Sequence, residues 1–135
     1  QQAYLKASNP DAEDVFGFTT SISNDGNTLV AAAIHEQSCT HDIDGVQSDN
    51  TCNYAGAVYL FERRSGSWSA STYLKASNAD QGSDQFGFGL SLAGDSRTLA
   101  ISSPYDDAVS TGINGLDNND PTVSTNTGAV FVFTR

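Results

Sequence analysis

The chain has 135 residues, of which 38% are hydrophobic, and a formal net charge of −10 at pH 7. This charge argues against nucleic acids and anionic lipids as partners, because their phosphates would repel the protein. Cations, basic proteins and neutral glycans remain as partner classes. No apolar run approaches the roughly 20 residues of a membrane-spanning helix.

The sequence contains no methionine and begins with Gln1 and Gln2. Since translation starts at a methionine, we expect a processed product or a piece of a longer protein. No secretory signal peptide is visible in the first residues.

A sequence pattern of about 70 residues occurs twice, which is typical of repeat architectures. The stretch "YLKASNPDAEDVFGF" starts at Tyr4 and "YLKASNADQGSDQFGF" starts at Tyr73, an offset of 69. The offset between the later matching stretches that begin at Gly56 and Gly128 is 72. Such small differences fall in polar loops, where extra residues cost little free energy.

Each copy predicts a series of short antiparallel strands, and no segment shows helical periodicity. In the first strand of each copy, Phe16 and Phe18 or Phe86 and Phe88 alternate with small or polar residues. Compositions typical of tight turns follow these strands. The predicted strands are residues 15–23, 28–34, 56–63 and 68–77 in the first copy and 85–93, 98–104 and 128–135 in the second.

The third predicted strand of each copy, 56–63 or 128–135, is apolar on both faces. A sheet that contains such a strand must be covered on both sides. Four-stranded sheets stacked face to face around an axis form a β-propeller. We therefore predict an all-β fold of antiparallel four-stranded β-propeller blades. Two blades leave outer faces uncovered, so the chain should not be stable as a lone monomer.

Residues 1–8 are similar in sequence to the fourth predicted strand. The chain therefore begins with a fourth strand, continues with strands 1 to 4 and ends with strands 1 to 3, the order 4-1234-123. Residues 14–77 then form a first blade, and residues 84–135 form a second blade that lacks its fourth strand. Residues 1–8 are an outer strand that completes a neighbouring blade.

Strand 2–8 of one copy can therefore pair with strand 128–134 of the next copy. This contact is head-to-tail, and it builds a ring or a filament. The alternative is that flanking blades of a longer chain cover the same surfaces. The expected contact residues between copies are Tyr4, Leu5, Val130, Phe131, Val132 and Phe133.

Cys39 and Cys52 lie thirteen positions apart in a polar, turn-rich segment. We predict a disulfide, which stabilises a loop of this length by about 3 kcal/mol and indicates an oxidising compartment. Two free thiols in a cytosolic protein are the alternative. A zinc site with His35 and His41 is a weaker alternative, because the spacings match no standard zinc motif.

The same segment holds Asp42, Asp44 and Asp49 around Gly45. Calcium is bound by several oxygen ligands, often with a glycine at the turn, so these three carboxylates are candidate calcium ligands. The alternative is a solvated loop rich in turns. No other cofactor is indicated.

No motif predicts catalysis, and we expect a protein that is not an enzyme. The chain has neither a Gly-x-Ser-x-Gly sequence nor a glycine-rich phosphate loop. Asp106 and Asp107 are paired acids, but adjacent residues seldom converge on one substrate bond, so we expect them to begin a polar loop.

The sequence resembles the FG-GAP repeats of integrin-α-like β-propellers, in particular the bacterial-type extracellular arrays. The resemblance is carried by "DVFGF", "NTLVAAA", "GAVYLFER" and "YLKASN" in order, and by their second copies "DQFGF", "RTLAISSP" and "GAVFVFTR". It implies a secreted or surface-anchored protein that acts in adhesion, binding or structure. The calcium loop of that family is incomplete here, since the corresponding hairpins read "SNDGNT" and "AGDSRT".

We therefore expect an extracellular structural or adhesive module that associates head-to-tail with other copies or with flanking blades. The alternative is a propeller that binds a glycan or protein ligand, with or without calcium, through loops 35–55 and 104–127. A hydrolase would need catalytic residues from blades outside this sequence.

Overall fold

The computed structural model describes residues 1–80, 82–115 and 125–135. These residues form seven strands and no helix, which confirms the prediction of an all-β fold. None of the described segments is a helix long and apolar enough to cross a membrane. The strands are β1 (Phe16–Ile22), β2 (Thr28–Ala33), β3 (Ala57–Arg64), β4 (Ser67–Leu74), β5 (Gly89–Leu92), β6 (Thr98–Ser103) and β7 (Ala129–Thr134).

The strands make two antiparallel sheets, which follow the chain without crossovers. The N-terminal sheet has the order β1-β2-β3-β4 and the C-terminal sheet the order β5-β6-β7. In the N-terminal sheet Val30 of β2 lies opposite Leu60 of β3. In the C-terminal sheet Ala100 of β6 lies opposite Val132 of β7. These pairs occupy corresponding repeat positions, so both sheets use the same register.

Aromatic packing repeats with nearly the same geometry in the two sheets. The rings of Phe16 and Tyr59 are 5.5 Å apart at an interplanar angle of 75°. Those of Phe86 and Phe131 are 5.4 Å apart at 75°. Both are edge-to-face contacts, the arrangement that aromatic quadrupoles favour. The two copies of the sequence are therefore two copies of one structural unit.

The predicted alternation along residues 85–93 is wrong in its first half. The chain turns at this point, since the Phe88 N–H donates to the Gln85 carbonyl at 3.1 Å, and β5 begins only at Gly89. Left-handed backbone angles at Gln85 and Gly87, with φ of +52° and +99°, break the two-residue period. Phe88 consequently points outward, where its ring lies 5.3 Å from that of Phe18.

The two sheets pack face to face over a common core. Val58 and Leu60 of β3 lie in this core, whereas Tyr59 and Phe61 face the opposite side of the N-terminal sheet. Strand β3 is therefore buried on both faces, as its sequence predicts. The buried residues that the strands contribute to the common core are Val30, Ala32, Val58, Leu60, Leu74, Leu92, Leu99 and Ile101, joined by Phe86.

Residues 1–7 adopt no regular secondary structure in the single chain. Leu5 and Ala7 instead lie against the face of the N-terminal sheet that carries Tyr59 and Phe61. The strand pairing predicted for residues 1–8 is thus not made within this chain. Apolar contacts hold the segment on the sheet, together with a hydrogen bond from the Arg63 guanidinium to the side-chain carbonyl of Gln2 at 3.0 Å.

The sheets approach each other closely at Gly87. A methyl group at this position would lie 2.7 Å from the Cβ atom of Ala32 and 3.0 Å from a methyl carbon of Val58. Gly17, at the corresponding position of the first copy, has a similar φ of +91° but nothing within 4 Å. The two glycines therefore differ in packing and agree in backbone conformation.

This contrast gives a test of the packing between the sheets. We expect Gly17→Ala to cost about 1–2 kcal/mol, because an L-residue is strained at positive φ. Gly87→Ala should cost a further 1–3 kcal/mol, roughly the penalty of overpacking. Urea denaturation of both variants measures the difference, and equal losses would show that the sheets are not in tight contact at Gly87.

Candidate functional site

The outer face of the C-terminal sheet exposes two valines of β7. Val130 and Val132 are 68% and 64% exposed, whereas Val58 and Leu60 at the corresponding positions of β3 are 0% and 7% exposed. The difference arises because the N-terminal sheet has a second sheet on that side. An uncovered pair of large aliphatic side chains on a regular strand is a candidate contact surface.

The edge of β7 that faces away from β6 is also open, since no described strand pairs with it. In the N-terminal sheet the corresponding edge of β3 is covered by β4. A cavity of about 720 Å³ lies along the open edge, and we call it the edge cavity. Among the residues that line it are Lys75, Asp106, Asn114, Val130, Phe131 and Val132.

The outer face of the N-terminal sheet is exposed on its β1 side, although Tyr59 and Phe61 of β3 are buried on this face. Ile22 is 52% exposed, whereas Leu92 at the corresponding position is 9% exposed. Leu29 is half-buried, whereas its counterpart Leu99 is buried. The outer face of the C-terminal sheet thus corresponds to one side of the apolar contact between the sheets, and the outer face of the N-terminal sheet corresponds to the other side.

An ion pair is buried next to the end of β4. The Lys75 ammonium lies 2.9 Å from a carboxylate oxygen of Glu36, and both side chains are almost completely buried. Glu36 also accepts hydrogen bonds from the side chain of Asn9 at 2.9 Å and from the Ser38 N–H at 3.2 Å. Burial lowers the pKa of Lys75, and the charge of Glu36 opposes this shift.

Asp106 occupies the position of Glu36 in the second copy and has the same two neutral partners. It accepts from the side chain of Asn78 at 2.8 Å and from the Ala108 N–H at 3.0 Å. Asn78 corresponds to Asn9. In the described part of the chain, however, no cation forms an ion pair with Asp106. This buried carboxylate therefore lacks the lysine that its counterpart has.

Asp44 binds the backbone of β4 from the side. Its N–H donates to the Tyr73 carbonyl at 2.8 Å, and its carboxylate accepts from the Tyr73 N–H at 2.7 Å. The corresponding residue of the second copy, Asn114, has a similar left-handed backbone, with φ of +53° against +55° for Asp44. Asn114 lies at the edge cavity, opposite the open edge of β7.

The three predicted calcium ligands are therefore not brought together. Asp44 is engaged by β4, Asp49 accepts from the N–H and hydroxyl of Thr51, and Asp42 is exposed. Within residues 1–80, 82–115 and 125–135, no group of three or more His, Cys, Asp or Glu side chains could hold a metal ion. The loop prediction for 104–127 falls partly on residues 116–124, which lie outside the described residues.

The disulfide between Cys39 and Cys52 is confirmed, and this pairing overturns the zinc alternative because both thiols are consumed. It closes the loop of residues 35–55 on itself, and within this loop the Cys52 N–H also donates to the Gln37 carbonyl at 2.8 Å. The disulfide holds the segment that carries Asp44, and a disulfide of this kind fits an oxidising compartment.

Asp106 and Asp107 lie just after β6 ends at Ser103, at the start of a loop, as expected, but both side chains are buried. Asp107 accepts from the N–H groups of Thr125 and Asn126 at 2.6 and 2.7 Å, so it fixes the chain as it enters β7. Backbone donors of this kind compensate the burial of a carboxylate.

Sequence reasoning also missed a cluster of carboxylates around Gly82. A methyl group on Gly82 would lie 2.7 Å from an oxygen of Asp80, 3.1 Å from one of Asp107 and 3.2 Å from one of Asp84. Burial, reinforced by the charges of Asp80, Asp106 and Asp107, raises the pKa of Asp84 to about 7. The close spacing of Asp80, Gly82 and Asp84 in the sequence could have indicated this cluster.

We expect Lys75→Met to lower the free energy of unfolding by about 3–5 kcal/mol, because it leaves the buried Glu36 carboxylate without its cation. Arg64→Met is the control, since Arg64 makes an exposed ion pair with Glu62, worth about 0–1 kcal/mol. Chemical denaturation compares the two variants. Similar losses would contradict a buried ion pair at Lys75.

The raised pKa of Asp84 predicts that stability falls as pH rises. The folded state binds the Asp84 proton more tightly than the unfolded state does, so its contribution is lost between about pH 4 and pH 7. Asp84→Asn should flatten urea-denaturation midpoints across this window and raise stability at pH 7.5. Asp25→Asn is the control, because hydrogen bonds lower the pKa of that exposed carboxyl to about 2, outside the window. A profile unchanged by Asp84→Asn would contradict the assignment.

Comparison with known proteins gives no relative from which to transfer a function. No family model matches the chain, and neither a curated protein nor a solved structure matches it. The resemblance to FG-GAP repeats therefore stays a prediction, and the functional interpretation rests on the two outer faces, the edge cavity and the buried charges.

Proposed function

We propose that the chain is an extracellular structural or adhesive module that associates head-to-tail with copies of itself. In this arrangement each sheet is a β-propeller-type blade. Residues 2–8 of one copy add to the open edge of β7 in the next copy as its fourth strand. The function requires no catalytic residue.

The observation that carries the proposal is the relation between the two outer faces. Inside the chain, Val58 and Leu60 of one sheet pack in a common core with Leu92 and Leu99 of the other. Between copies, Val130 and Val132 would meet Ile22 and Leu29, which occupy the corresponding positions. Two different surfaces of one molecule that fit each other form a heterologous contact, which can repeat from copy to copy.

The position of Leu5 and Ala7 supports the same arrangement. Their counterparts, Leu74 and Ala76, lie in the core between the two sheets. Leu5 and Ala7 already lie on the outer face of the N-terminal sheet, where a preceding sheet would enclose them. Residues 1–8, which would complete the sheet of a neighbouring copy, thus already lie on the face of the N-terminal sheet against which that neighbouring sheet would pack.

The disulfide supports an extracellular location, because such bonds persist in oxidising environments. The acidic surface limits non-specific association between copies. At about 0.15 M salt its repulsion is screened beyond roughly 8 Å, so the short-range apolar contact can dominate. Burial of each valine contributes about 1.5–3 kcal/mol.

Sedimentation velocity over a range of concentrations tests this function. We expect the chain to form oligomers whose size increases with concentration, and deletion of residues 1–8 to leave monomers. We also expect Val132→Lys to abolish association, because a charge would be buried in the apolar contact. This second variant leaves the N-terminal segment in place.

Val46→Lys is the matched control for Val132→Lys. Val46 is exposed to a similar extent but lies in the loop of residues 35–55, and it is not one of the apolar side chains that the proposed contact brings together. It should retain oligomers. A chain that stays monomeric at every concentration, or oligomers that persist in both the deletion variant and Val132→Lys, would overturn the proposal.

A further inference from the structure

We propose that Lys6 of one copy forms a buried ion pair with Asp106 of the next copy inside the edge cavity, and that Asn114 binds the backbone of Tyr4 beside it. This inference rests on the proposed head-to-tail association. It specifies the polar contacts that fix the register of the added strand and that make the edge of β7 specific for residues 2–8.

The first support for this ion pair is an equivalent pair within the chain. In the N-terminal sheet, the lysine that follows β4 pairs with the acid that follows β2, as Lys75 and Glu36 do. Lys6 corresponds to Lys75, and Asp106 corresponds to Glu36. Lys6 is exposed in the single chain, whereas Asp106 is buried. Among the described residues, the chain therefore carries one exposed lysine and one buried acid of the matching types, neither of which is in an ion pair.

The register of the first sheet defines where the added strand lies. Leu74 pairs with Val58, and Tyr73 pairs with Tyr59. Transferred to the second sheet, Leu5 of the incoming strand lies opposite Val130, and Tyr4 lies opposite Phe131. The rings of Tyr4 and Phe131 would then repeat the contact between Tyr59 and Tyr73, which are 5.3 Å apart.

This register places Tyr4 next to Asn114. Asp44 binds both backbone groups of Tyr73, and Asn114 has the same backbone conformation at the corresponding position. The Asn114 side-chain oxygen can accept from the Tyr4 N–H while its own N–H donates to the Tyr4 carbonyl. The outward backbone groups of Tyr4 are thereby satisfied.

The energetic argument concerns the burial of Asp106. A carboxylate in a low-dielectric environment is costly without a cation, and its two neutral donors compensate only part of the cost. Lys6 brings the missing charge on a flexible side chain whose counterpart Lys75 reaches its acid from the same strand position. The second copy lacks some of these contacts, since Ala108 replaces Ser38, whose hydroxyl donates to Glu36 and contacts the Tyr73 hydroxyl. The Tyr4 hydroxyl therefore gains no equivalent partner.

A double-mutant cycle on the association constant tests the pair. Lys6→Gln and Asp106→Asn are close in size to the native side chains, and each should weaken association at least tenfold, because each leaves the other charge unpaired. The double variant should associate no more weakly than either single variant. Arg64→Gln, which removes an exposed cation that the proposal does not use, should leave the association constant unchanged.

A mixing experiment tests the direction of the contact. Deletion of residues 1–8 keeps the edge cavity intact, and Asp106→Lys keeps the native N-terminal segment. Each variant alone should remain monomeric, whereas an equimolar mixture should form a one-to-one complex, since it contains one native pair of surfaces. Circular dichroism verifies that both variants retain the β-fold, and the cycle with isosteric substitutions provides the test if Asp106→Lys does not.

The outcomes separate this inference from the proposed function. If the unchanged chain does not associate, both fail, and the edge of β7 is covered by a strand from elsewhere. If the chain associates through residues 1–8 and β7 but the effects of Lys6→Gln and Asp106→Asn are absent or simply add, the association stands and the ion pair is wrong.

Discussion

The structure depends on one constraint, which is that the third strand of each repeat is apolar on both faces. Strand β3 satisfies this constraint within the chain, because its valine and leucine face the C-terminal sheet while its tyrosine and phenylalanine face the other side. Strand β7 satisfies it on one face only. The valines of β7 are therefore exposed because this strand is apolar on both faces but has a sheet packed against only one of them.

The sequence alone predicts the strands, their order and the disulfide, because these depend on local periodicity, turn composition and spacing. It does not predict the outward position of Phe18 and Phe88, because positive φ angles at the flanking residues shift the side-chain phase. It also does not predict that Asp106 and Asp107 are buried. Their burial depends on donors that lie far away in the sequence, such as Asn78 and Thr125, and no local pattern contains that information.

The two copies of the repeat differ most in their charged interiors. The first copy buries a complete ion pair. The second buries a carboxylate that has the same kinds of neutral partner and, among the residues that the structure describes, no cation. Since unpaired buried charges are costly, such a residue tends to mark a site that another group completes. The carboxylates around Gly82 add to the negative potential there, which disfavours acidic partners and favours a lysine.

The contact between Asp44 and the backbone of Tyr73 has a consequence for aggregation. An exposed strand edge invites indiscriminate pairing with other polypeptides, and the disulfide-tethered loop blocks this route on the outer side of β4 by occupying hydrogen-bonding groups there. The edge of β4 is thereby occupied at Tyr73, whereas the corresponding edge of β7 is open among the described strands. In the proposed head-to-tail assembly, the difference between the two edges would give the polymer a defined polarity.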